Sequence, residues 1–242
     1  MTQQPPAAGT GARLELNSPL SAASAARLVA AATAHAPELI IDHGCGWGTL
    51  LLDALASVPT AHGTGIDVHA PDIDRAWATA EQRGLTDRVT FVTGSSEDVR
   101  DRADLLISIG AFQALGTIEE ALARLAELLR TGGRLLFGSE YWQARPTPEE
   151  LALMWDGARV EDCLDLPGLI GRVQAAGWRV LDLHDSTRTE FDAFEVGHLR
   201  EREEWLLEHP GHPVRAELDQ DWAAWLRGRR RPMGFVTLLL GR

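Results

Sequence analysis

Hydrophobic positions along the chain fall into short apolar runs separated by amphipathic stretches. Leu39-Ile40-Ile41 opens the first run, which closes on Asp42 and His43; its aliphatic, β-branched character predicts a strand buried on both faces. Similar runs end at Asp67, cover Val89 to Val92, Asp104 to Ile109, Arg134 to Gly138 and Trp178 to Leu183, and finish with Gly234 to Leu240. Between them the period becomes helical: Leu20 to Ala32 with Ser21 as cap, Thr49 to Ala56, Asp72 to Arg83, and Leu169 to Ala176. The clearest helix starts at Thr117, where Thr117 and Glu120 form a T-x-x-E capping box. Ile118, Leu122, Leu125 and Leu129 recur on one face before Thr131-Gly132-Gly133 stops it. Strands alternating with helices predict an α/β fold with a doubly wound, mostly parallel sheet.

Residues 188–231 separate the last two strands and are too many for a simple loop. Phe191, Phe194, Leu199, Trp205 and Leu206, then Leu218, Trp222, Trp225 and Leu226, predict two amphipathic helices broken at His209-Pro210-Gly211-His212-Pro213. Such an insertion is a helical ornament on the core, a cap over an acceptor pocket, or a dimer face.

Length and composition confine the function. At 242 residues and 45% hydrophobic content the chain builds one α/β domain over residues 17–242. Met1 to Gly11 has neither the basic residues nor the apolar core of a signal peptide, and residues 1–16 are expected to form a flexible tail. A net charge of −12 argues against nucleic acid as a partner. Its local exception, Arg227, Arg229, Arg230 and Arg231, reads as cations at a helix carboxyl end. The 105–118 run is too short to span a bilayer. Cys45 and Cys163 are the only cysteines, which excludes a disulfide framework and points to a reducing, cytoplasmic compartment. No histidines cluster with acids at metal-ligand spacing, so no metal is expected. All 23 basic residues are arginine, excluding Schiff-base and lysine-base chemistry.

The candidate chemistry starts where the first strand ends, in Asp42-His43-Gly44-Cys45-Gly46-Trp47-Gly48. Glycines there let the backbone turn tightly against a ligand, although a glycine-rich turn without a ligand would read the same way. Asp67 closes the next strand, about 20 residues on, where an acid reaches the ribose hydroxyls of a nucleoside cofactor. Together they point to an adenosine derivative. The dinucleotide fingerprint G-x-G-x-x-G beginning at Gly44 would need glycine where Thr49 stands.

These segments resemble the class I S-adenosylmethionine (SAM) dependent methyltransferases, and within them a bacterial group acting on small molecules or on undetermined substrates. The likeness runs from Asn17-Ser18-Pro19-Leu20 to the end, through the D-x-G-x-G-x-G loop, the Asp67 strand, Leu129 to Gly138, and Glu140-Tyr141-Trp142 with Pro146-Thr147-Pro148. It implies a Rossmann-like, seven-stranded sheet with an antiparallel last strand, SAM as cofactor and S-adenosylhomocysteine (SAH) as product. It further implies that Asp42, Gly44, Gly46 and Gly48 face the methionine moiety, that Asp67 binds the ribose hydroxyls, and that Val68 packs on adenine. The carbonyl at Ile109 would receive the cofactor's amino group. Where many relatives carry an acid for the adenine amino group, this chain has Ser95 and Ser96, with Glu97 one further along.

The reaction implied is in-line transfer of the sulfonium methyl to an O, N, S or C atom of a small acceptor, by a monomer or homodimer. The protein's part is to align nucleophile and methyl and to exclude water. Acceptor-site candidates follow the strand ends: Phe112 and Gln113, Glu140, Tyr141 and Trp142, and His184 and Asp185. Glu140 is a base or acceptor-positioning group, or else a solvent-facing carboxylate at a helix start. His43 is a second candidate base, or a structural histidine bonded to a neighbouring helix. Tyr141 and Trp142 read as aromatic walls of the pocket or as core. Trp47 packs over the loop or meets the sulfonium through its ring. A cofactor-binding cyclase or regulator of the same fold remains open; a nicotinamide oxidoreductase is disfavoured by Thr49 and by the absence of lysine.

Overall fold

The computed structural model of the protein describes residues 4–242. Seven strands form one sheet: β1 (Leu39–His43), β2 (His62–Asp67), β3 (Val89–Thr93), β4 (Ala103–Ile109), β5 (Leu129–Trp142), β6 (Arg179–Asp185) and β7 (Met233–Gly241). Their spatial order is β3-β2-β1-β4-β5-β7-β6, and β7 alone runs antiparallel to its neighbours. The parallel sheet with an antiparallel last strand is therefore as the sequence leads one to expect. Strand order reverses between β1 and β4, and in an open α/β sheet the crevice beyond the carboxyl ends at that point receives ligands.

Helices α1 (Ala22–Thr33), α2 (Thr49–Ser57), α3 (Ala70–Gln82), α4 (Ile118–Leu128), α5 (Pro148–Leu151), α6 (Leu166–Ala175), α7 (Arg188–Glu208) and α8 (Val214–Ala223) complete the fold. A π-helical turn, Ala224–Arg229, continues α8. Period-two alternation divides the strands between two cores. Ile40, Leu105, Ile107 and Leu136 belong to a cluster with residues of α1, α2, α3 and α7, while Ile41, Leu106, Leu135 and Phe137 belong to one with α4 and α6. Asp42 lies on the first face with Ile40, and His43 on the second with Ile41.

The expected capping box at Thr117 forms: its backbone N–H donates to Glu120 at 2.8 Å, and the Glu120 N–H donates to its hydroxyl at 3.3 Å. Thr187 and Glu190 make the same box at the start of α7. Glu190 also accepts from the Ser21 N–H at 2.9 Å and the Ser24 hydroxyl at 2.6 Å, tying α7 to α1. Burial works against its charge, but these donors hold its pKa down at about 2.

Residues 188–231 do form two helices, broken after Glu208, with the predicted Pro-Gly segment between them. The amino-terminal segment departs from the expected tail. Leu16 is buried, the Arg75 guanidinium donates to the Gly11 and Leu14 carbonyls, and Thr10 and Arg13 bond to Glu201 and Glu204 of α7. Apolar Leu14 and Leu16 and the carbonyls taken by Arg75 make residues 10–16 a strap between α3 and α7; the part of the expectation that falls on residues 1–3 lies outside the described residues.

Candidate active site

Between the end of β1 and α2, the Gly44 and Cys45 N–H groups donate to the Ile66 carbonyl at 2.8 and 3.0 Å, bending the chain across the top of β2. Gly44, Gly46 and Gly48 all have positive φ, at 70°, 52° and 74°. A Cβ on Gly44 would lie 2.3 Å from that of Ala111, and one on Gly48 2.6 Å from the Phe91 ring. The glycines at these two positions are thus demanded by the protein's own packing as well as by the turn. Asp67 closes over the loop: one carboxylate oxygen accepts from the Gly46 N–H at 2.8 Å, the other from the His69 N–H at 2.9 Å. Asp42 is almost wholly buried on a small void lined by Asn17, Ser18, Gly44 and Ile109. Burial, reinforced by the Asp67 charge, raises its pKa to about 8.

A cavity of about 320 Å³ opens from this loop towards β5, β7 and α7. Gly44, Asp67 and Ile109 form one side of it; Phe191, Phe194 and Glu195 of α7, with Arg229 of the π-helical turn, form the other; Glu140, Met233 and Phe235 line the sheet between. Burial raises the pKa values of both Glu140 and Glu195, and the Arg229 charge partly offsets this in each. Arg229 donates to Glu195 at 2.6 Å. Phe191 packs against Trp225, ring centroids 5.0 Å apart, joining α7 to the π-helical turn.

Four of the expected site residues, Gly44, Asp67, Ile109 and Glu140, line this cavity; Asp42 lines the smaller void with Gly44 and Ile109, and Gly46 and Gly48 continue the loop without lining either. Val68, next to Asp67 in the chain, is 73% exposed and does not line the cavity. Ser95 caps its own 3-10 turn by accepting from the Glu97 N–H at 3.2 Å, and Ser96 is buried.

The remaining candidates are placed elsewhere. His43, expected as a base or a bonded structural residue, is fully buried on the face opposite Asp42 with both ring nitrogens unpartnered. Burial, then the Arg124 charge, lowers its pKa to about 4, so it is neutral at pH 7. Phe112 packs on Phe137 with centroids 6.0 Å apart, and Gln113 is exposed; neither lines the cavity. Tyr141 faces away from Glu140, as alternation along β5 requires, and its hydroxyl donates to Asp185 at 2.8 Å. Trp142 donates to the Val160 carbonyl at 2.7 Å and stacks with Trp155, beyond the cavity's end. His184 turns to Glu190, 3.4 Å away, and neither it nor Asp185 lines the cavity. Over the Trp47 ring lies the Arg75 guanidinium, 3.9 Å from its centroid.

Sequence reasoning missed Asn17, Ser18, Glu195, Arg229, Met233 and Phe235 as site residues. The arginine cluster carried a usable signal: Arg229 and Arg230 pair with Glu195 and Asp192 of α7, and Arg231 pairs with Glu150 of α5, so these cations tie elements together besides ending a helix.

Residues 40–133 match the family model described as a methyltransferase domain. The uncharacterized protein YjhP of Escherichia coli (strain K12) is 29% identical over 202 residues, 82% of this chain and 78% of that protein. A ribosomal protein L11 methyltransferase from Shewanella sediminis is 29% identical over 55% of this chain, but the match spans only 46% of that enzyme. A solved SAM-dependent methyltransferase from Geobacter sulfurreducens, in complex with SAH, superposes with a TM-score of 0.85 at 25% identity, over 96% of each chain. Residues 40–133 thus match a methyltransferase domain, and the whole chain has the fold of SAM-dependent methyltransferases solved with SAH, which supports SAM as its cofactor.

Proposed function

We propose that this protein binds SAM across the glycine loop and transfers its methyl group to a small molecule held beneath α7. The donor set suits the cofactor. Asp67, already aimed by two backbone N–H groups, offers a carboxylate for the ribose hydroxyls, and Val68 offers an exposed apolar surface at the adenine end. Even without Asp42, whose burial favours its neutral form, the acids Asp67, Glu140 and Glu195 outnumber the single guanidinium of Arg229, an environment favourable to a sulfonium cation. Bound there, SAM supplies an activated methyl on a good leaving group. The chain's own work is then placement and dryness: Phe191, Phe194 and Phe235 exclude water, and Glu140 faces the acceptor as base or positioning group.

One observation carries this reading: Glu140 and the aromatic face of α7 converge with Gly44, Asp67 and Ile109 on a single cavity. It supports the cap among the roles open to residues 188–231. A net charge of −12 supports a small-molecule acceptor over nucleic acid. No described helix is long and apolar enough to cross a membrane. The test is calorimetric titration with SAH, followed by a screen of acceptors with methyl-labelled SAM. Micromolar SAH binding with label transferred to a metabolite-sized acceptor is expected; SAH binding with label transferred only to protein or nucleic acid would remove the small-molecule assignment.

A further inference from the structure

The half of the cavity beyond the glycine loop is lined by Glu140, Glu195, Arg229 and the apolar side chains of Phe191, Phe194, Met233 and Phe235. Glu195 already has its cation, Arg229 at 2.6 Å, whereas Glu140 stands in no ion pair among the described residues. The far half therefore holds one carboxylate in excess, aimed into an otherwise aromatic and aliphatic space. Asp42 and Asp67 cannot be counted for the acceptor, because they sit at the ends of β1 and β2. Glu140 is on β5, two strands from β1 and roughly 10 Å away at ordinary strand spacing.

We propose, building on the methyl-transfer reading, that the acceptor is a compact amine: its nitrogen is received by Glu140 and its apolar body lies among Phe191, Phe194, Met233 and Phe235. An acid would have to draw Arg229 away from Glu195 while facing Glu140, although the buried, unpartnered Nε of Arg229 offers one donor to such a ligand. An alcohol suits the space but not the chemistry. An alkylammonium ion gives up its proton with a pKa of about 10, against about 15.7 for water, so a carboxylate whose proton affinity burial has raised is better matched to an amine than to an alcohol. The aromatic rings favour the product as well, since a methylated ammonium ion is stabilised over ring faces. Size points the same way: about 320 Å³ must also admit the reactive end of the cofactor, which leaves room for an acceptor of only a few non-hydrogen atoms beyond one ring.

The steps balance. An arriving ammonium ion passes one proton to the Glu140 carboxylate, freeing the nitrogen lone pair. That nitrogen attacks the sulfonium methyl of bound SAM; the N–C bond forms as the C–S bond breaks, and the bonding pair stays on sulfur as the thioether of SAH. Positive charge moves from sulfur to the methylated nitrogen, and the proton on Glu140 leaves to solvent once product departs. No other reactant is needed.

The test compares benzylamine, benzyl alcohol and benzoate, matched in ring and differing in charge, as ligands of the SAH-loaded protein by ligand-observed NMR titration. Benzylamine is expected to bind at least tenfold more tightly than either partner. In Glu140→Gln that preference should fall to less than threefold while SAH binding, read separately by calorimetry, changes less than twofold. Benzoate binding best, with its affinity lost in Arg229→Gln, overturns the proposal, as does a panel without amine preference or without binding. The wild-type comparison decides the matter even if Glu140→Gln does not fold. Failure of SAH itself to bind would instead remove the methyl-transfer reading, and this proposal with it.

Discussion

The glycine-loop wall of the cavity is made of backbone, and the wall facing it is made of side chains. On the first, ligand-facing groups are set by turns at Gly44, Gly46 and Gly48 and by N–H groups that hold the Asp67 carboxylate. On the second, Phe191, Phe194, Glu195 and Arg229 stand on helices kept in place by ion pairs between α7 and the residues after α8, such as Arg229 with Glu195 and Arg230 with Asp192. A backbone wall tolerates almost no change in its own residues but is indifferent to the acceptor. A side-chain wall can be rebuilt residue by residue, which suits the role proposed for it in receiving the acceptor.

The strongest attempt to break this contrast is Gly44→Ala. The new Cβ would meet Ala111 at 2.3 Å at a residue with φ of 70°, and a loss of about 2–4 kcal/mol in urea denaturation is expected. Stability equal to the parent would show that the loop yields. Next in size, Asp67→Ala removes the charged acceptor without touching the core; SAH affinity should fall by about 1.5–3 kcal/mol in calorimetry with the unfolding transition little moved. Unchanged affinity would sink the ribose assignment.

On the lid side, Glu190 has a pKa depressed from 4.5 to about 2, so its contribution is complete above pH 4.5 and disappears as pH falls through 2. Thermal melts from pH 5 to pH 2 should show on the order of 1–2 kcal/mol lost in the parent and a flatter profile in Glu190→Gln. Parallel profiles would mean that the α1 and α7 anchor carries no such linkage. Smallest of all, His43→Leu should change SAH affinity by less than twofold, because the imidazole lies on the other face of the sheet. A larger drop would tie that face to the cofactor.

The same contrast explains what could be read from the chain before the fold was known. Backbone-made features need particular residues at fixed short spacing, so the strand ending at Asp42, the three glycines, Asp67 and the Thr117 capping box were legible. The period of two along a strand puts Tyr141 and Glu140 on opposite faces of β5, so at most one of the two could face a common pocket. Arg229, Glu195 and Phe235 were not legible, because nothing local distinguishes a lid ion pair from a solvated one; the pairing is visible only when α7 and the π-helical turn lie side by side. The Arg75 guanidinium over the Trp47 ring was not legible either, since it reaches the ring from another helix. The boundaries moved for a similar reason: β5 begins at Leu129, well before the predicted Arg134, because Leu129 pairs with Ala103 of β4 across a register shift.

The strap formed by residues 10–16 also constrains the order in which the molecule assembles. Thr10 bonds to Glu201 and Arg13 to Glu204, each 191 positions further along. Trp47 and Thr49 donate to the Glu15 carbonyl, so the strap is fastened to the glycine loop as well as to α7. Contacts of such separation carry a large loop-closure cost and form late. During synthesis the strap leaves the ribosome long before α7 does, and it has nothing to latch onto at that end until α7 has emerged. The glycine loop and Asp67 can take shape early, but the enclosure around them is finished only when nearly the whole domain has been made. A nascent chain interrupted before α7 would therefore carry the glycine loop and Asp67 without the facing wall of the cavity.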